Sequence, residues 1–282
     1  MKHVFGVQVG PVTFRIGSAW RKPITQLQAL YRDYPKDGGV PDFTVRLAPL
    51  RPWRRWIRPA VAIGGDFVIP DAAPLPLDQG LLAAEMGMNL QMALGQRRFL
   101  LLHAAAVERD GCAIVLTGES GAGKSTLAAL LQGRGWRLMA DEFVLLDPMT
   151  GLIHPFPRPV SLKNDSIDVV ARALPHSEWG PLISDTPKGT IRHLVPQAHA
   201  VAGAKSPARP RLLLFPRFCA APDQRVVGAG EAFVRLTQAS TNYVVLGERG
   251  FLALTRLVSD VTRVAIDYPD ADTAAAMIEG LW

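Results

Sequence analysis

Hydrophobic and polar residues alternate along several short stretches of the N-terminal part of the chain. The alternation covers residues 7–9, 12–16 and 43–47, and two apolar runs within residues 61–69 flank a pair of glycines. A period of two is typical of strands with one buried face, and the glycine pair suggests a hairpin. The pattern therefore predicts a smaller, mostly β N-terminal domain over residues 1–75.

The pattern changes after a proline-rich connector at residues 70–76, which is the predicted domain boundary. Apolar residues then recur at helical spacing through residues 78–96. Residues 113–117 form a continuous apolar run typical of a buried strand, and further helical and strand-like stretches follow. Such alternation predicts an α/β domain over residues 78–282.

The composition is that of an ordinary soluble globular protein. The 282 residues are 48% hydrophobic and 20% charged, with a formal net charge of +6. The first 60 residues hold 11 Lys and Arg against three Asp, a charge of +8, so the remainder carries −2. This charge asymmetry suggests that the two predicted domains have different functions.

Cysteine and histidine usage gives little sign of structural metal or disulfide chemistry. Cys112 and Cys219 are too few for a disulfide framework, and the histidines show no zinc-ligand spacing. The N-terminal segment lacks the apolar run of a signal peptide, and no apolar stretch is long enough to span a bilayer. We expect a cytoplasmic protein without a membrane span.

The run after residues 113–117 has the pattern Gly-x-x-x-x-Gly-Lys-Ser, which predicts a P-loop. Glycines allow the backbone to turn its N–H groups around phosphates, and the following helix directs its positive end at them. Lys124 is expected to reach the β- and γ-phosphates, and Ser125 to bind Mg²⁺. The predicted nucleotide-binding residues of this run are Gly118, Glu119, Ser120, Gly121, Ala122, Gly123, Lys124, Ser125 and Thr126.

Two adjacent acids, Asp141 and Glu142, follow the apolar strand predicted at residues 136–140. Because this strand comes one helix after the P-loop, both carboxylates are expected beside the phosphates at the carboxyl edge of the sheet. One of the two can take the proton of an attacking hydroxyl while the other holds the metal with Ser125. GTPase base-reading and transporter-ATPase signature motifs are absent from the sequence, so the pair favours a kinase.

The order of His103, the P-loop and the acidic pair resembles the catalytic core of bacterial HPr serine kinases. Residues 101–105 and 156–164 look more like the HPr-kinase-related "kinase A" branch of that family. The resemblance covers roughly residues 80–282. It implies an α/β fold with an HPr-kinase-like P-loop core, and it leaves a homo-oligomer open.

The resemblance also implies an ATP- and Mg²⁺-dependent kinase that acts on a hydroxyl, in HPr kinases a serine of a small protein. Asp141 would be the general base, with His103 close by to tune it. Glu142 would be the second catalytic acid and, with Ser125, the metal ligand. Arg158 and Lys163, in the family-like run, are the preferred additional phosphate ligands. HPr kinases carry two Asp at the acidic pair, where this chain has Asp and Glu. Their kinase/phosphorylase signature is absent here, so we expect neither phosphorolysis nor HPr itself as substrate.

Residues 51–59 interleave four arginines with two tryptophans. Such a segment could stack on bases, dock an acidic peptide or lie on an anionic membrane. The preferred interpretation is an edge strand or loop whose tryptophans fill a small core while its arginines are solvated. If the segment has a function, an acidic protein or peptide partner suits a kinase best, and nucleic acid is the minority option.

Three hypotheses for function follow from the sequence. The preferred one is a kinase that phosphorylates a serine of a protein or peptide. A small-molecule kinase with the same core is the second. The third is an ATP-binding regulatory or nucleic-acid-linked module, in which the basic N-terminal part would bind the partner.

Overall fold

The N-terminal part of the chain forms a sheet of its own. The computed structural model describes residues 1–36, 39–70 and 72–282. Within these residues the sheet has five strands, β1 (His3–Val9), β2 (Val12–Ser18), β3 (Phe43–Pro49), β4 (Ala60–Gly65) and β5 (Leu75–Pro76). The strands lie in chain order across the sheet. Only β2 and β3 pair in parallel, and the other neighbours are antiparallel.

Two helices pack on this sheet, α1 (Arg21–Leu30) and α2 (Gly80–Gly95). The sequence pattern predicted α2, but it indicated strands and turns in the region of α1. A proline in the first helical turn is compatible with a helix, and Ile24, Leu27 and Leu30 bury one face of α1 at helical spacing. In α2, a Cβ on Gly87 would lie 2.5 Å from Val45 Cγ1, so glycine permits close approach of helix and sheet.

The packing of α2 bears on where the N-terminal unit ends. The predicted boundary was the connector at residues 70–76, of which residue 71 lies outside the described part of the chain. Since α2 contacts β3 and β4, it shares the core of the N-terminal sheet. We propose that the N-terminal unit extends to the end of α2.

Several short and long strands follow α2 in the chain. They are β6 (Leu100–Leu102), β7 (Ala104–Arg109), β8 (Cys112–Thr117), β9 (Arg137–Ala140), β10 (Val144–Leu146), β11 (Ile153–His154), β12 (Val160–Lys163), β13 (Ile183–Thr186), β14 (Gly189–Leu194), β15 (Arg209–Phe218), β16 (Asp223–Val226) and β17 (Thr262–Tyr268). The helices among and after them are α3 (Lys124–Gln132), α4 (Asp165–Ala173), α5 (Ala198–Ala202), α6 (Ala229–Ala239), α7 (Tyr243–Leu246), α8 (Glu248–Asp260) and α9 (Ala271–Leu281).

The largest sheet has the strand order β16-β17-β15-β8-β7-β9. β8, β15 and β17 are parallel, so their carboxyl ends share one edge. β7 is antiparallel to both β8 and β9, so β9 also runs parallel to β8 and ends at that edge. The predicted strands at residues 113–117 and 136–140 are thus confirmed as β8 and β9, while β7 between them was not predicted.

Helices cover both faces of this sheet. Leu127 of α3 and Ile278 of α9 are buried in the core on one face, and Leu236 of α6 and Leu254 of α8 in the core on the other. Two smaller three-stranded sheets, β11-β10-β6 and β12-β14-β13, lie beside it. The chain is a mixed α/β protein with several sheets, as the sequence predicted.

A buried polar cluster ties α1 and α2 to the segment that precedes β12. The Arg158 guanidinium forms an ion pair with Glu85, donates to Asn89 Oδ1 and lies 3.3 Å from the Tyr31 hydroxyl. The Tyr34 hydroxyl donates to the carbonyl of Pro157 at 2.5 Å. The cluster therefore holds the start of β12 against the N-terminal unit.

A buried asparagine makes a second long-range connection. The Asn242 side chain accepts a hydrogen bond from the Leu101 N–H at 2.9 Å and donates to the carbonyls of Gln96 and Phe99. Both N–H groups and the oxygen of its amide thus join α7 to the chain that enters β6.

Within the described residues, no helix combines the length and apolar character needed to cross a membrane.

Candidate active site

A glycine-rich loop joins β8 to α3 at the carboxyl edge of the largest sheet. Gly121 and Gly123 both have φ of +89°, which favours glycine. A Cβ on Gly123 would lie 1.8 Å from the Tyr268 hydroxyl oxygen, and that hydroxyl donates to the carbonyl of Ala122 at 3.1 Å. The loop therefore needs glycine at position 123 both for its backbone conformation and for its packing on β17.

The ammonium group of Lys124 turns back onto this loop. Its Nζ donates to the carbonyl of Gly118 at 2.7 Å and to that of Glu119 at 2.9 Å. Burial lowers the pKa of Lys124, whereas the nearby carboxylates of Asp141 and Glu142 raise it. A cation at the start of α3, beside the positive end of the helix dipole, suits an anionic ligand.

Asp141 is buried directly beside the loop. Its Oδ1 accepts a hydrogen bond from Ser125 Oγ at 2.8 Å, and its Oδ2 accepts one from the Ser161 N–H at 3.1 Å. Burial, and next the charge of Glu142, raise the pKa of Asp141 to about 6, although both hydrogen bonds act in the opposite direction. Asp141 can therefore gain or lose a proton close to neutral pH.

Glu142 follows Asp141 in a left-handed backbone conformation with φ of +77°. Its Oε2 lies 3.5 Å from Nδ1 of His103. Partial burial lowers the pKa of His103, against the opposing effect of Glu142. Strained φ values in residues other than glycine persist where the surroundings enforce them, and they cluster at functional sites.

These side chains line a cavity of about 470 Å³ between the loop and β12. Lys163 and Lys188 contribute further positive charge to it. A second cavity, of about 850 Å³, lies beyond the loop over the ends of β15 and β17. The two cavities share His103, Ser120 and Gly121 in their linings, so they meet over the loop.

The structure brings most of the predicted site residues together. Those that line one or both cavities are His103, Gly118, Glu119, Ser120, Gly121, Ala122, Gly123, Lys124, Ser125, Thr126, Asp141, Glu142 and Lys163.

Arg158 is the exception among the predicted site residues. It lines neither cavity, because its guanidinium is buried against Glu85 and Tyr31. The prediction that Arg158 binds the nucleotide does not agree with this position. Its charge is neutralised by Glu85, so it holds two parts of the fold together instead.

Sequence reasoning missed Ser161 as a member of the site. Its backbone N–H holds Asp141, and a backbone donor leaves no trace in residue type. Asn164 and Ser166 also line the smaller cavity. They fall within or beside the family-like run at residues 156–164, which was the available signal.

Glu142→Gly is expected to raise the free energy of unfolding by about 1 kcal/mol while reducing any turnover at this site. Glycine relieves the left-handed strain and removes a charge that disfavours ionised Asp141, although it also makes the unfolded chain more flexible. Urea unfolding and an activity assay measure the two effects. Asp110→Gly is the matched control, since Asp110 also has positive φ, 55°, but lies in the β7–β8 turn. A less stable Glu142→Gly protein would contradict the backbone strain at position 142. A fully active one would contradict the assignment of Glu142 to the active site.

Comparison with known proteins gives short local matches. The chain is 47% identical over 47 residues to "Putative HPr kinase/phosphorylase 2" of Oceanobacillus iheyensis, covering 17% of this chain and 15% of that protein. It is 33% identical over 84 residues to "HPr kinase/phosphorylase" of Treponema pallidum, covering 29% and 26%. The matches thus span about a quarter or less of these curated relatives.

A solved structure, the "Hpr(Ser) kinase/phosphatase from Coxiella burnetii", aligns with 64% of this chain and 92% of its own. Its sequence identity is 16% and its TM-score 0.30. No family model matches the chain. Over these 47 and 84 residues the chain is similar to HPr kinase/phosphorylases.

Proposed function

We propose that this protein is an ATP-dependent kinase that transfers the γ-phosphate to a hydroxyl group, a serine of a protein or peptide. One observation carries the proposal: a buried carboxylate of raised pKa, Asp141, is hydrogen-bonded to the residue that follows the lysine of a glycine-rich loop. A phosphate donor cradle and a proton acceptor thus share one cavity. The names of the curated relatives, all HPr kinase/phosphorylases, support the same class of reaction.

The loop and the start of α3 are the proposed triphosphate site of a P-loop. Lys124 would exchange its two loop carbonyls for phosphate oxygens, and the N-terminal N–H groups of α3 would donate to the same anion. Lys163 and Lys188, across the cavity, would offset the charge that accumulates on the transferred group. Catalysis of phosphoryl transfer depends mainly on positioning the reacting groups and on stabilising the charge of the transition state.

Mg²⁺ fits the donor set of this cavity. Ser125 and Glu142 offer the oxygen ligands that magnesium prefers. The Ser125 hydroxyl can donate a hydrogen bond to Asp141 while the lone pairs of its oxygen face a cation. The described residues contain no cluster of three or more His, Cys, Asp or Glu placed to hold a metal, so an ion shared with nucleotide phosphates suits the site. When bound, the ion would neutralise phosphate charge.

Asp141 is the proposed general base. An ionised Asp141 would accept the proton of the acceptor hydroxyl as its oxygen attacks the γ-phosphorus in line with the leaving group. The Ser161 N–H and the Ser125 hydroxyl hold the carboxylate in place. His103, in contact with Glu142, would fix the orientation of that second acid.

The proposed acceptor is a polypeptide, and the proposed cellular setting is the cytoplasm. The two joined cavities leave room for a polypeptide segment beside the loop, and the relatives are named for HPr, a protein. The thiols of Cys112 and Cys219 are free, which suits a cytoplasmic protein. A small-molecule hydroxyl is the alternative acceptor.

The test incubates the purified protein with γ-labelled ATP, Mg²⁺ and a lysate of its host. We expect a labelled polypeptide band that Lys124→Met abolishes and the exposed-lysine control Lys205→Met preserves. Label that appears only in the low-mass pool, and depends on Lys124, would assign a small-molecule kinase. Label in neither pool would contradict a kinase.

The pH dependence of turnover is expected to report Asp141. A base must be ionised to accept a proton, and the pKa of Asp141 is raised to about 6. We therefore expect kcat/KM to fall as the pH is lowered through about 6, with the slope of a single proton. A profile that stays flat down to the ordinary carboxyl value of 3.8 would contradict the raised pKa.

A further inference from the structure

The segment that links β3 to β4 stands out from the rest of the N-terminal unit. We call residues 50–58 the tryptophan–arginine turn. Its centre is a short 3-10 helix, Pro52–Arg55, which is closed by backbone hydrogen bonds from Arg54 to Arg51 and from Trp56 and Ile57 to Trp53. The turn thus satisfies these backbone groups internally and leaves most of its side chains exposed.

The apolar side chains of the turn face solvent. Trp53 is 51% exposed, Trp56 74% and Ile57 65%. The interpretation that the tryptophans fill a small core is therefore wrong. Large exposed apolar side chains that lie together mark interaction sites, whereas isolated ones need no explanation.

Positive charge surrounds these apolar groups. The turn contains four arginines and no acid. The guanidinium of Arg51 lies 5.4 Å from the ring centre of Trp53, and that of Arg55 lies 5.4 Å from that of Trp56. In the part of the chain that the structure describes, no carboxylate forms an ion pair with Arg51, Arg54 or Arg58.

The turn is fixed to the body of the protein at its base. The indole N–H of Trp20 donates to the carbonyl of Arg55 at 2.9 Å, and the Arg55 guanidinium donates to the carbonyl of Ala19 at 3.0 Å. Arg54 also donates to the carbonyl of Arg58 at 3.2 Å. Less conformational freedom is therefore lost when a partner binds than with a flexible loop.

We propose that the tryptophan–arginine turn binds the surface of an anionic lipid bilayer. Indole rings favour the boundary between headgroups and acyl chains, and basic side chains are attracted to the negative surface potential of anionic lipids. Each exposed group of the turn has a counterpart at such a surface. The inference goes beyond the proposed kinase activity and does not depend on it.

An acidic polypeptide fits the turn less well than a bilayer. Extended peptides add to a strand edge or lie in a groove. The backbone N–H groups of residues 54, 56 and 57 are already bonded within the turn, so they offer no edge. A protruding apolar tip enters a fluid bilayer without a complementary groove, which a folded partner would have to supply.

The experiment measures binding of the full chain to vesicles by flotation. One set is phosphatidylcholine alone, and the other contains about one third phosphatidylglycerol. We expect binding to the anionic vesicles only, and release when NaCl is raised from about 0.1 M to about 0.5 M. Arg51→Gln/Arg58→Gln should weaken binding about 25-fold, and Trp53→Ala/Trp56→Ala at least about tenfold.

Matched variants elsewhere on the surface keep the test specific. Arg172→Gln/Arg249→Gln removes two exposed arginines outside the turn, and Val244→Ser/Val245→Ser removes two exposed apolar side chains. Both should bind like the wild type. Equal binding to neutral and anionic vesicles, or no binding to either, would overturn the proposal. So would binding to polyglutamate but to no vesicle, which would assign an acidic polypeptide instead.

Discussion

Replacement of Asp141 by asparagine is expected to lower kcat by about three orders of magnitude and to leave ATP affinity within a few-fold of wild type. The amide has nearly the shape of the carboxylate and can still accept the hydrogen bond from Ser125, but it cannot accept the acceptor's proton. The phosphate contacts proposed for Lys124 and the glycine-rich loop are untouched. Phosphotransfer kinetics and a nucleotide-binding titration measure the two quantities separately.

Asp168→Asn provides the control, since Asp168 is an exposed acid on α4. The stability of the Asp141→Asn variant adds an independent check. Folded wild-type protein loses stability as the pH rises from 3.8 to about 6, because a charge must then be buried at Asp141. The free energy of unfolding of the variant, relative to wild type, should rise over that window and level off above it. Unchanged turnover would move the base assignment to Glu142.

Arg158→Met should lower the free energy of unfolding by about 3–5 kcal/mol, the largest stability effect we expect from one substitution. The change leaves the Glu85 carboxylate buried without its positive partner, and removing one member of a buried ion pair typically costs this much. The Tyr31 hydroxyl and Asn89 lose a hydrogen-bond donor as well. Urea unfolding followed by circular dichroism measures the loss.

A double variant separates the ion pair from simple loss of packing. Glu85→Gln/Arg158→Met removes both charges and should recover a large part of the stability, because no unpaired charge remains. The exposed-arginine variant Arg172→Met should unfold like the wild type. A double variant as unstable as the single one would show that packing, and not charge, accounts for the effect.

The sequence predicted those parts of the site that are local in the chain. The loop from Gly118 to Ser125 is a contiguous motif whose backbone demands restrict the residue types. Asp141 follows a short apolar strand, so its place at the sheet edge follows from strand direction. Its role as a base, like the role of Glu142 as a metal ligand, stays a prediction.

Contacts between distant segments could not be predicted. Arg158 looked like a phosphate ligand from its neighbours in sequence, but its partner Glu85 lies 73 positions earlier, on a helix that packs on another sheet. β7 was missed because the residues at its start, 104–107, are fully buried and show no alternation. The helix α1 was missed because it is short and is enclosed by strands.

The buried amide of Asn242 makes residue 101 a reporter of exchange with solvent. The Leu101 N–H is held by a side chain 141 positions away, so local fraying of β6 alone does not free it. Deuterium should therefore enter at Leu101 only when α7 separates from the chain that enters β6. The exchange rate at that one amide would then measure how often these two distant segments of the chain come apart, without denaturant.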